Sequence, residues 1–287
     1  MKQTDTRDVV FRVRRFEPGD GGPASEDFTV PVPPGMVVLE GLWYIKEHLD
    51  PSLAWRASCR MGVCGSCGML IGGRPMLACN TQVREVERGG VLDLAPLPNY
   101  DVVRDLVPDL DPMFEHHRHL MPWIDRGKAG TPDGESPDSE AASPAGQLRQ
   151  TPEELLEFLQ FSYCIKCGCC VAACPTVATD PVYSGPQALA QAYRYLTDSR
   201  DDGFAGRRAI LSTELGPWRC HYAGECSRAC PKGVDPARAL QLLKRELVLD
   251  GIGLGRLRRR QPATVLPPGN RRRREAIPQP PAYTVDQ

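Results

Sequence analysis

The sequence predicts an α+β chain in which a small mixed unit of strands and one helix precedes a second unit that is mostly helical. Three observations carry that expectation. The chain has 287 residues, and at roughly 150 residues per domain this length suits two domains, each able to bury a core. Apolar residues alternate with charged ones near the N-terminus, the period of a strand, whereas beyond residue 150 they recur at helical spacing. Between the two halves, residues 127–150 read GKAGTPDGESPDSEAASPAGQLRQ, with almost no large apolar side chain. Such a stretch cannot offset its chain entropy by burial, so it reads as a linker.

In chain order, Val9, Phe11, Val13 and Arg15 occupy alternate positions before the turn-rich GDGGP at 19–23, so a strand and a hairpin open the chain. A second strand is expected from Phe28 to Val32, ahead of Pro33 and Pro34. Val38, Leu42, Ile45 and Leu49 fall at i, i+4, i+7 and i+11, one face of an amphipathic helix. From Met69 to Leu94, short apolar runs broken by Gly-Gly pairs at 72–73 and 89–90 suit further strands. Past the linker, Thr151-Pro152-Glu153-Glu154 joins a capping box to a proline at the first helical position. Leu155, Leu156, Phe158 and Leu159 then supply the apolar face of that helix. Further helices follow Pro186, with Leu189, Ala192, Tyr193 and Leu196 inward, and Asp235-Pro236, with Leu240, Leu243 and Leu247 inward. From about residue 251 the chain is rich in Gly, Pro and Arg and is expected to lack regular structure.

Composition narrows the function. Thirty-five Lys and Arg balance 36 Asp and Glu, a formal net charge of −1, which removes any general argument for a nucleic-acid surface. No run approaches 18 consecutive apolar residues, so the sequence predicts no membrane span of its own. MKQTDTRDVV lacks the basic start and apolar core of a secretory signal, and the expected compartment is the cytoplasm. Twelve cysteines in a reducing compartment point to metal rather than disulfides. Other signals read more plainly. His116, His117 and His119 read as surface histidines, and Gly251-Ile252-Gly253-Leu254-Gly255 lacks the preceding strand that a dinucleotide loop needs. The basic run at Arg256, Arg258–Arg260 and Arg271–Arg274 suits either a solvated tail or contact with lipid or a partner.

The cysteines fall into three groups. Cys59-x4-Cys64-x2-Cys67, followed by Cys79, has the plant-type spacing of four thiolates on a [2Fe–2S] cluster. Gly62, Gly65 and Gly68 let that backbone wrap closely and turn N–H groups toward sulfur. Tetrahedral zinc is the rival, though its knuckles favour paired C-x2-C elements. Cys164-x2-Cys167-x2-Cys170-x3-Cys174-Pro175 is the bacterial run, whose fourth cysteine serves the other cluster of a pair. Cys220-x2-Ala223-x2-Cys226-x3-Cys230-Pro231 repeats it with alanine in the second ligand slot. Exchange of fourth ligands gives Cys164, Cys167, Cys170 and Cys230 to a [4Fe–4S] cluster. Cys174, Cys220 and Cys226 remain for a site whose open corner, at Ala223, favours [3Fe–4S]. Cys169 is left over and reads as a small buried filler.

On these motifs the chain resembles the iron–sulfur subunit of the succinate dehydrogenase/fumarate reductase family, respiratory complex II, over most of residues 8–250. The matching stretches are SCRMGVCGSCGMLIGGRPMLAC at 58–79, VVRDLVPDLDPMF at 102–114, CIKCGCCVAACP at 164–175, SGPQALAQAYRYLTDSRDDG at 184–203 and WRCHYAGECSRACPKGVDP at 218–236. The resemblance implies a β-grasp [2Fe–2S] ferredoxin-type domain at 1–105, a connecting segment at 106–150 holding the 127–150 linker, an α-helical ferredoxin domain at 151–250 and an Arg/Pro-rich tail at 251–287. It implies a peripheral protein on the cytoplasmic face of the inner membrane, between an FAD-bearing flavoprotein subunit and membrane anchor subunits that bind quinone. The [2Fe–2S] cluster would face the flavin subunit, the [4Fe–4S] cluster would lie between, and the [3Fe–4S] cluster would face the quinone. Its quinone-site positions fall at Pro175, Thr179, His221 and Ala223, with Trp218 beside them. Thr179 stands where several ubiquinone-reducing members carry tryptophan, keeping a donor on a shorter side chain. CPTVATDP is closer to the fumarate reductase branch and RCH at 219–221 to the dehydrogenase branch. The long linker and the extended tail depart from the family's usual pattern.

Overall fold

The computed structural model describes residues 5–19, 22, 24–125 and 150–254. The 127–149 part of the linker, most of the GDGGP turn and the arginine-rich run after residue 254 lie outside the described residues.

Strands β1 (Arg7–Arg15) and β2 (Ala24–Val32) pair antiparallel, with Phe11 opposite Phe28 and Val9 opposite Val30. Their alternation is that of the sequence: Val9, Phe11 and Val13 are buried while Arg12 and Arg14 face water. β2 begins earlier than its apolar residues indicate. Its exposed start is held instead by cross-strand charge, Arg12 making two 2.9 Å bonds to Asp27. Helix α1 (Val38–His48) buries Val38, Leu42 and Ile45 as expected. Leu49 does not join them. It lies one residue past the helix end and is 47% exposed, so the apolar stripe stops a turn short of the sequence reading. At Gly41 a side chain would meet the Phe11 ring at 2.4 Å, which is how closely α1 sits on β1.

β3 (Gly68–Ile71) and β4 (Arg74–Leu77) form a hairpin whose two turn residues, Gly72 and Gly73, have φ of 55° and 80°. That positive φ is what a tight two-residue hairpin turn requires. The short α2 (Val83–Val86) precedes β5 (Val91–Ala95), which runs parallel to β1 and antiparallel to β3. The resulting sheet, β2-β1-β5-β3-β4, wraps one face around α1.

A two-stranded ribbon, β6 (Val102–Arg104) and β7 (Val107–Pro108), leads to α3 (Asp111–His119). The remaining helices are α4 (Pro152–Ser162), α5 (Cys169–Ala172), α6 (Pro175–Thr179), α7 (Gly185–Leu196), α8 (Phe204–Leu211), α9 (Glu225–Arg228) and α10 (Pro236–Gly251). The capping box of α4 forms, with Thr151 N–H on Glu154 at 2.8 Å and Glu154 N–H on Thr151 Oγ1 at 3.3 Å. Its buried face differs from the sequence reading. Phe158, Gln160 and Phe161 turn inward, whereas Leu155 and Leu156 of the first turn are exposed. Helix α7 is buried on nearly every side, with α3, α4 and α10 packed around it. Leu189, Ala192, Tyr193 and Leu196 of α7 and Leu240, Leu243 and Leu247 of α10 are all inward, as expected.

The two units share a seam. Leu97 and Cys67 of the first belong to one apolar cluster with Cys167, Cys169 and Ala172 of the second. Asn99 Nδ2 donates across it to the carbonyls of Val171, Ala172 and Cys174 at 2.9, 3.1 and 3.1 Å. At the opposite corner, the fully buried Arg207 pairs with Asp201 and donates to the Met121 and Trp123 carbonyls. Asp125 N–H reaches Asp201 at 2.9 Å, and Gln150 Nε2 reaches Asp198 at 3.0 Å. Residues on both sides of the linker are therefore fixed to the 198–202 turn.

Candidate metal centres

Cys59, Cys64 and Cys67 lie on the loop between α1 and β3, and Cys79 sits in the 3-10 turn that follows β4. Closing β3 on β4 brings Cys79 back to this loop, since Ala78 N–H bonds Cys67 O at 3.1 Å. Arg60, Gly62 and Gly65 have positive φ and turn the chain so that its amides point inward. All four sulfurs accept backbone N–H groups. Cys59 Sγ takes those of Met61, Val63 and Cys64 at 3.4, 3.3 and 3.2 Å, and Cys64 Sγ takes that of Cys59 at 3.4 Å. Cys79 Sγ takes Gly62 N–H at 3.2 Å and Cys67 Sγ takes Cys79 N–H at 3.5 Å. The Ser66 hydroxyl leads a set of donors that draws the Cys64 thiol down to about 6, while burial pushes Cys67 up to about 12. Ser66 carried no signal in the spacing. Gly65 and Gly68 serve a second purpose that the sequence did not reveal. A Cβ on Gly65 would meet Cys167 Cβ at 2.8 Å, and one on Gly68 would meet Cys167 O at 2.9 Å, so the first cysteine loop abuts the second.

Cys164 and Cys167 occupy the segment joining α4 to α5, turned by Gly168 at φ 81°, and Cys170 lies in α5. Together with Cys230, just after α9, they line a small cavity of about 20 Å³ shared with Gln187 and Lys232. Burial raises the thiols of Cys164, Cys170 and Cys230, and the electrostatic neighbours that add to the rise in Cys230 are Cys167 and Cys164. Cys174 is not in this cavity. It lines another, also of about 20 Å³, with Cys220, Cys226, Tyr183, Tyr222 and Ala223. Burial pushes Cys226 up to about 12, with Cys174 and Cys220 adding to the rise. The sulfurs thus group across the two runs rather than within them. Lys244 of α10 holds the Cys220 carbonyl at 3.0 Å, and Tyr222 N–H reaches Cys220 Sγ at 3.4 Å. Cys169 is fully buried at the seam, as a filler should be, and it also hydrogen-bonds Cys167, which raises its own thiol and lowers that of Cys167.

Pro175 and Ala223 line the second cavity, while Thr179, Trp218 and His221 are exposed outside its lining. The Thr179 hydroxyl does not stand free as a donor. It is satisfied within α6 by the Pro175 and Thr176 carbonyls, both at 3.2 Å. His117 corrects the reading of three surface histidines. It is 8% exposed, because α3 packs on α7, and Gln187 lies 3.3 Å from its Nδ1.

Among the described residues no three His, Cys, Asp or Glu side chains converge as a single-ion site requires. In a polynuclear cluster the thiolates are divided among two or more irons, so the donor set as a whole spreads wider than around a single ion. The donor set fits such groups. Buried thiols with raised pKa need highly charged cations to ionise, space remains among them, and the first loop supplies N–H donors to every sulfur.

The family described as a 2Fe-2S iron-sulfur cluster binding domain matches residues 10–115, and that described as a 4Fe-4S dicluster domain matches residues 160–234. The chain is 45% identical over 237 residues to the fumarate reductase iron-sulfur subunit of Mycobacterium tuberculosis, spanning 82% of this chain and 91% of that protein. The chain belongs to the fumarate reductase/succinate dehydrogenase iron–sulfur subunit family. Within this family it is also 33% identical over 245 residues to the mitochondrial succinate dehydrogenase [ubiquinone] iron-sulfur subunit of Candida glabrata, spanning 84% of this chain and 92% of that one. A chain of the Mycobacterium smegmatis Sdh1 complex in the apo form shares the fold, with a TM-score of 0.70 at 28% identity over 86% of this chain and 97% of that one. As an iron–sulfur subunit of this family the chain has an electron-relay role in an oxidoreductase complex, and its α+β fold of two ferredoxin-type units is the family's. No helix among the described residues is long and apolar enough to cross a membrane.

Proposed function

We propose that the chain carries electrons between an FAD-bearing, succinate-oxidising subunit and quinone held at membrane anchor subunits. Cys59, Cys64, Cys67 and Cys79 would hold a [2Fe–2S] cluster, Cys164, Cys167, Cys170 and Cys230 a [4Fe–4S] cluster, and Cys174, Cys220 and Cys226 a [3Fe–4S] cluster. When bound, these clusters supply one-electron carriers whose potentials follow charge, hydrogen bonds to sulfur and exposure.

The single observation that carries this reading is contiguity. The first cysteine loop touches Cys167 through Gly65 and Gly68, and each of the two remaining cavities takes its cysteines from both the 164–174 and the 220–230 segments. Three sites so arranged form a continuous row. The chain's residues hold that row rigid: Asn99 bridges the units, and Lys232 Nζ reaches from beside Cys230 to the Gly62 carbonyl at 3.2 Å. Met61 and Val63, exposed beside Cys59 and Cys64, suit contact with the flavoprotein subunit. Trp218 and Tyr222, exposed beside Cys220, suit contact with the anchors, with Pro175, Thr179, His221 and Ala223 in the quinone vicinity. The protein would then sit peripherally on the cytoplasmic face of the inner membrane. The same relay serves quinol:fumarate reduction, a second reading favoured by the fumarate reductase name of the relative at 45% identity.

The test is anaerobic purification of the assembled complex from native membranes, with metal analysis, EPR and succinate-linked quinone reduction. About nine irons per chain are expected. Ala223→Cys is expected to convert the three-iron signal toward a four-iron one. Colourless, zinc-loaded protein overturns the reading.

A further inference from the structure

Gln187 lies in the first turn of α7, is 1% exposed and lines the cavity formed by Cys164, Cys167, Cys170 and Cys230. Its Nε2 stands 3.3 Å from His117 Nδ1 and 3.9 Å from Cys164 Sγ. Its Oε1 has no hydrogen-bond partner among the described residues. The amide is therefore held by its N–H end alone. A thiolate sulfur accepts hydrogen bonds and repels a carbonyl oxygen, so the N–H edge belongs on Cys164.

An amide nitrogen carries two hydrogens, and each has a destination here. One points to sulfur. The other needs a lone pair on His117 Nδ1, which a neutral imidazole with its proton on Nε2 provides. Burial, reinforced by the nearby Lys166 charge, pulls the His117 pKa down to about 4, so the ring is neutral at pH 7 and Nδ1 can accept.

We propose that Gln187, oriented by His117, is a positioning residue that sets the reduction potential of the cluster held by Cys164, by donating an N–H to that sulfur. Reduction makes a cluster more negative, and an N–H donor inside a buried site favours the more negative state. His117 acts one step further out, by fixing the amide so that its second hydrogen meets sulfur. The inference rests on the assignment of Cys164, Cys167, Cys170 and Cys230 to a four-iron cluster.

The test is an EPR-monitored redox titration of the full chain, loaded anaerobically with iron and sulfide, with iron content measured on each sample. Gln187→Met keeps the volume and removes the donor. It is expected to disfavour reduction of the four-iron centre about tenfold, about 60 mV for a one-electron couple, with the other two midpoints unmoved. His117→Phe is expected to shift the same midpoint in the same direction by less. His117→Gln, whose amide oxygen can accept the Gln187 N–H, is expected to restore it. Gln187→Glu, which keeps the side-chain length but presents only oxygen, is expected to lower the midpoint further and serves where the methionine variant loses its cluster. A fully loaded Gln187→Met or Gln187→Glu chain with the wild-type midpoint overturns this inference alone. A wild-type chain that shows no four-iron signal overturns the ligand assignment, and this inference with it.

Discussion

In the N-terminal loop, four sulfurs accept backbone N–H bonds from Cys59, Met61, Gly62, Val63, Cys64 and Cys79, and Cys64 is exposed to water. In the helical unit, Cys167, Cys170, Cys174 and Cys226 are buried, and each cavity draws its cysteines from segments far apart in sequence. The same thiol is thus held in two ways. One site is a cage of local amides that folds from a single stretch of about twenty residues, hairpin included. The other two exist only once helices α5, α7, α9 and α10 have assembled around them, and at Cys170 and Cys226 desolvation dominates the electrostatics. The contrast separates a site that forms within one local stretch from two that spacing can announce but only tertiary structure can assemble.

The sharpest way to break this comparison is Cys230→Ser. It is expected to abolish the four-iron EPR signal while leaving the two-iron signal at wild-type intensity, and Cys174→Ser is expected to strike the three-iron centre instead. Loss of the opposite centre in either variant would show that each run keeps its own fourth ligand. Next in size is Gly65→Ala. Its Cβ would lie 2.8 Å from Cys167 Cβ, on a backbone at φ 78°, and a cost of about 3 kcal/mol is expected in the denaturant midpoint. Gly73→Ala also has positive φ but meets nothing within 4 Å; it is expected to cost about 1 kcal/mol, which isolates the contribution of the seam.

Asn99→Leu tests the bridge between the units. It removes the side-chain donor of the Val171, Ala172 and Cys174 carbonyls, of which Val171 and Cys174 keep the N–H groups of Cys174 and Ala178, and a loss of about 1 kcal/mol is expected, with faster proteolysis between the units. The last effect concerns pH and vanishes at neutrality. The His117 pKa of about 4 lies below its ordinary 6.5, so between those values the unfolded chain binds more protons than the folded one. Stability is full above pH 6.5 and falls as pH drops, by roughly 2 kcal/mol at pH 5. His117→Gln is expected to flatten that part of the denaturant-midpoint profile.

The sequence made the local features legible. Period-2 alternation located β1, the glycine pairs located two turns, and the Thr151 capping box located the start of α4, because each depends on residues within a few positions. The misreadings share one cause. Leu49 and Leu155 have the right spacing to be buried but no partner element beside them, and His117 has a polar side chain but is covered by α7. Spacing records which residues share a face, whereas burial depends on what arrives at that face. Gly65 and Gly68 show the same limit within the site. They read as loop glycines near sulfur, yet much of their necessity comes from a cysteine about a hundred positions away. Gln187 had no signal at all, since a glutamine in an amphipathic helix becomes informative only when a sulfur and an imidazole are found at its amide.

The buried Arg207–Asp201 pair has a practical consequence for anyone wishing to label or tether this protein. It pins residues 121–125, and Gln150 is tied to Asp198 in the same turn, so the chain leaves and re-enters at one anchored corner. Closure there is fixed by side chains of the folded body and not by the number of residues in between. Doubling an intervening length costs only about 0.6 kcal/mol, so residues inserted between Asp125 and Gln150 as a reporter or an affinity handle are expected to leave that anchored corner intact.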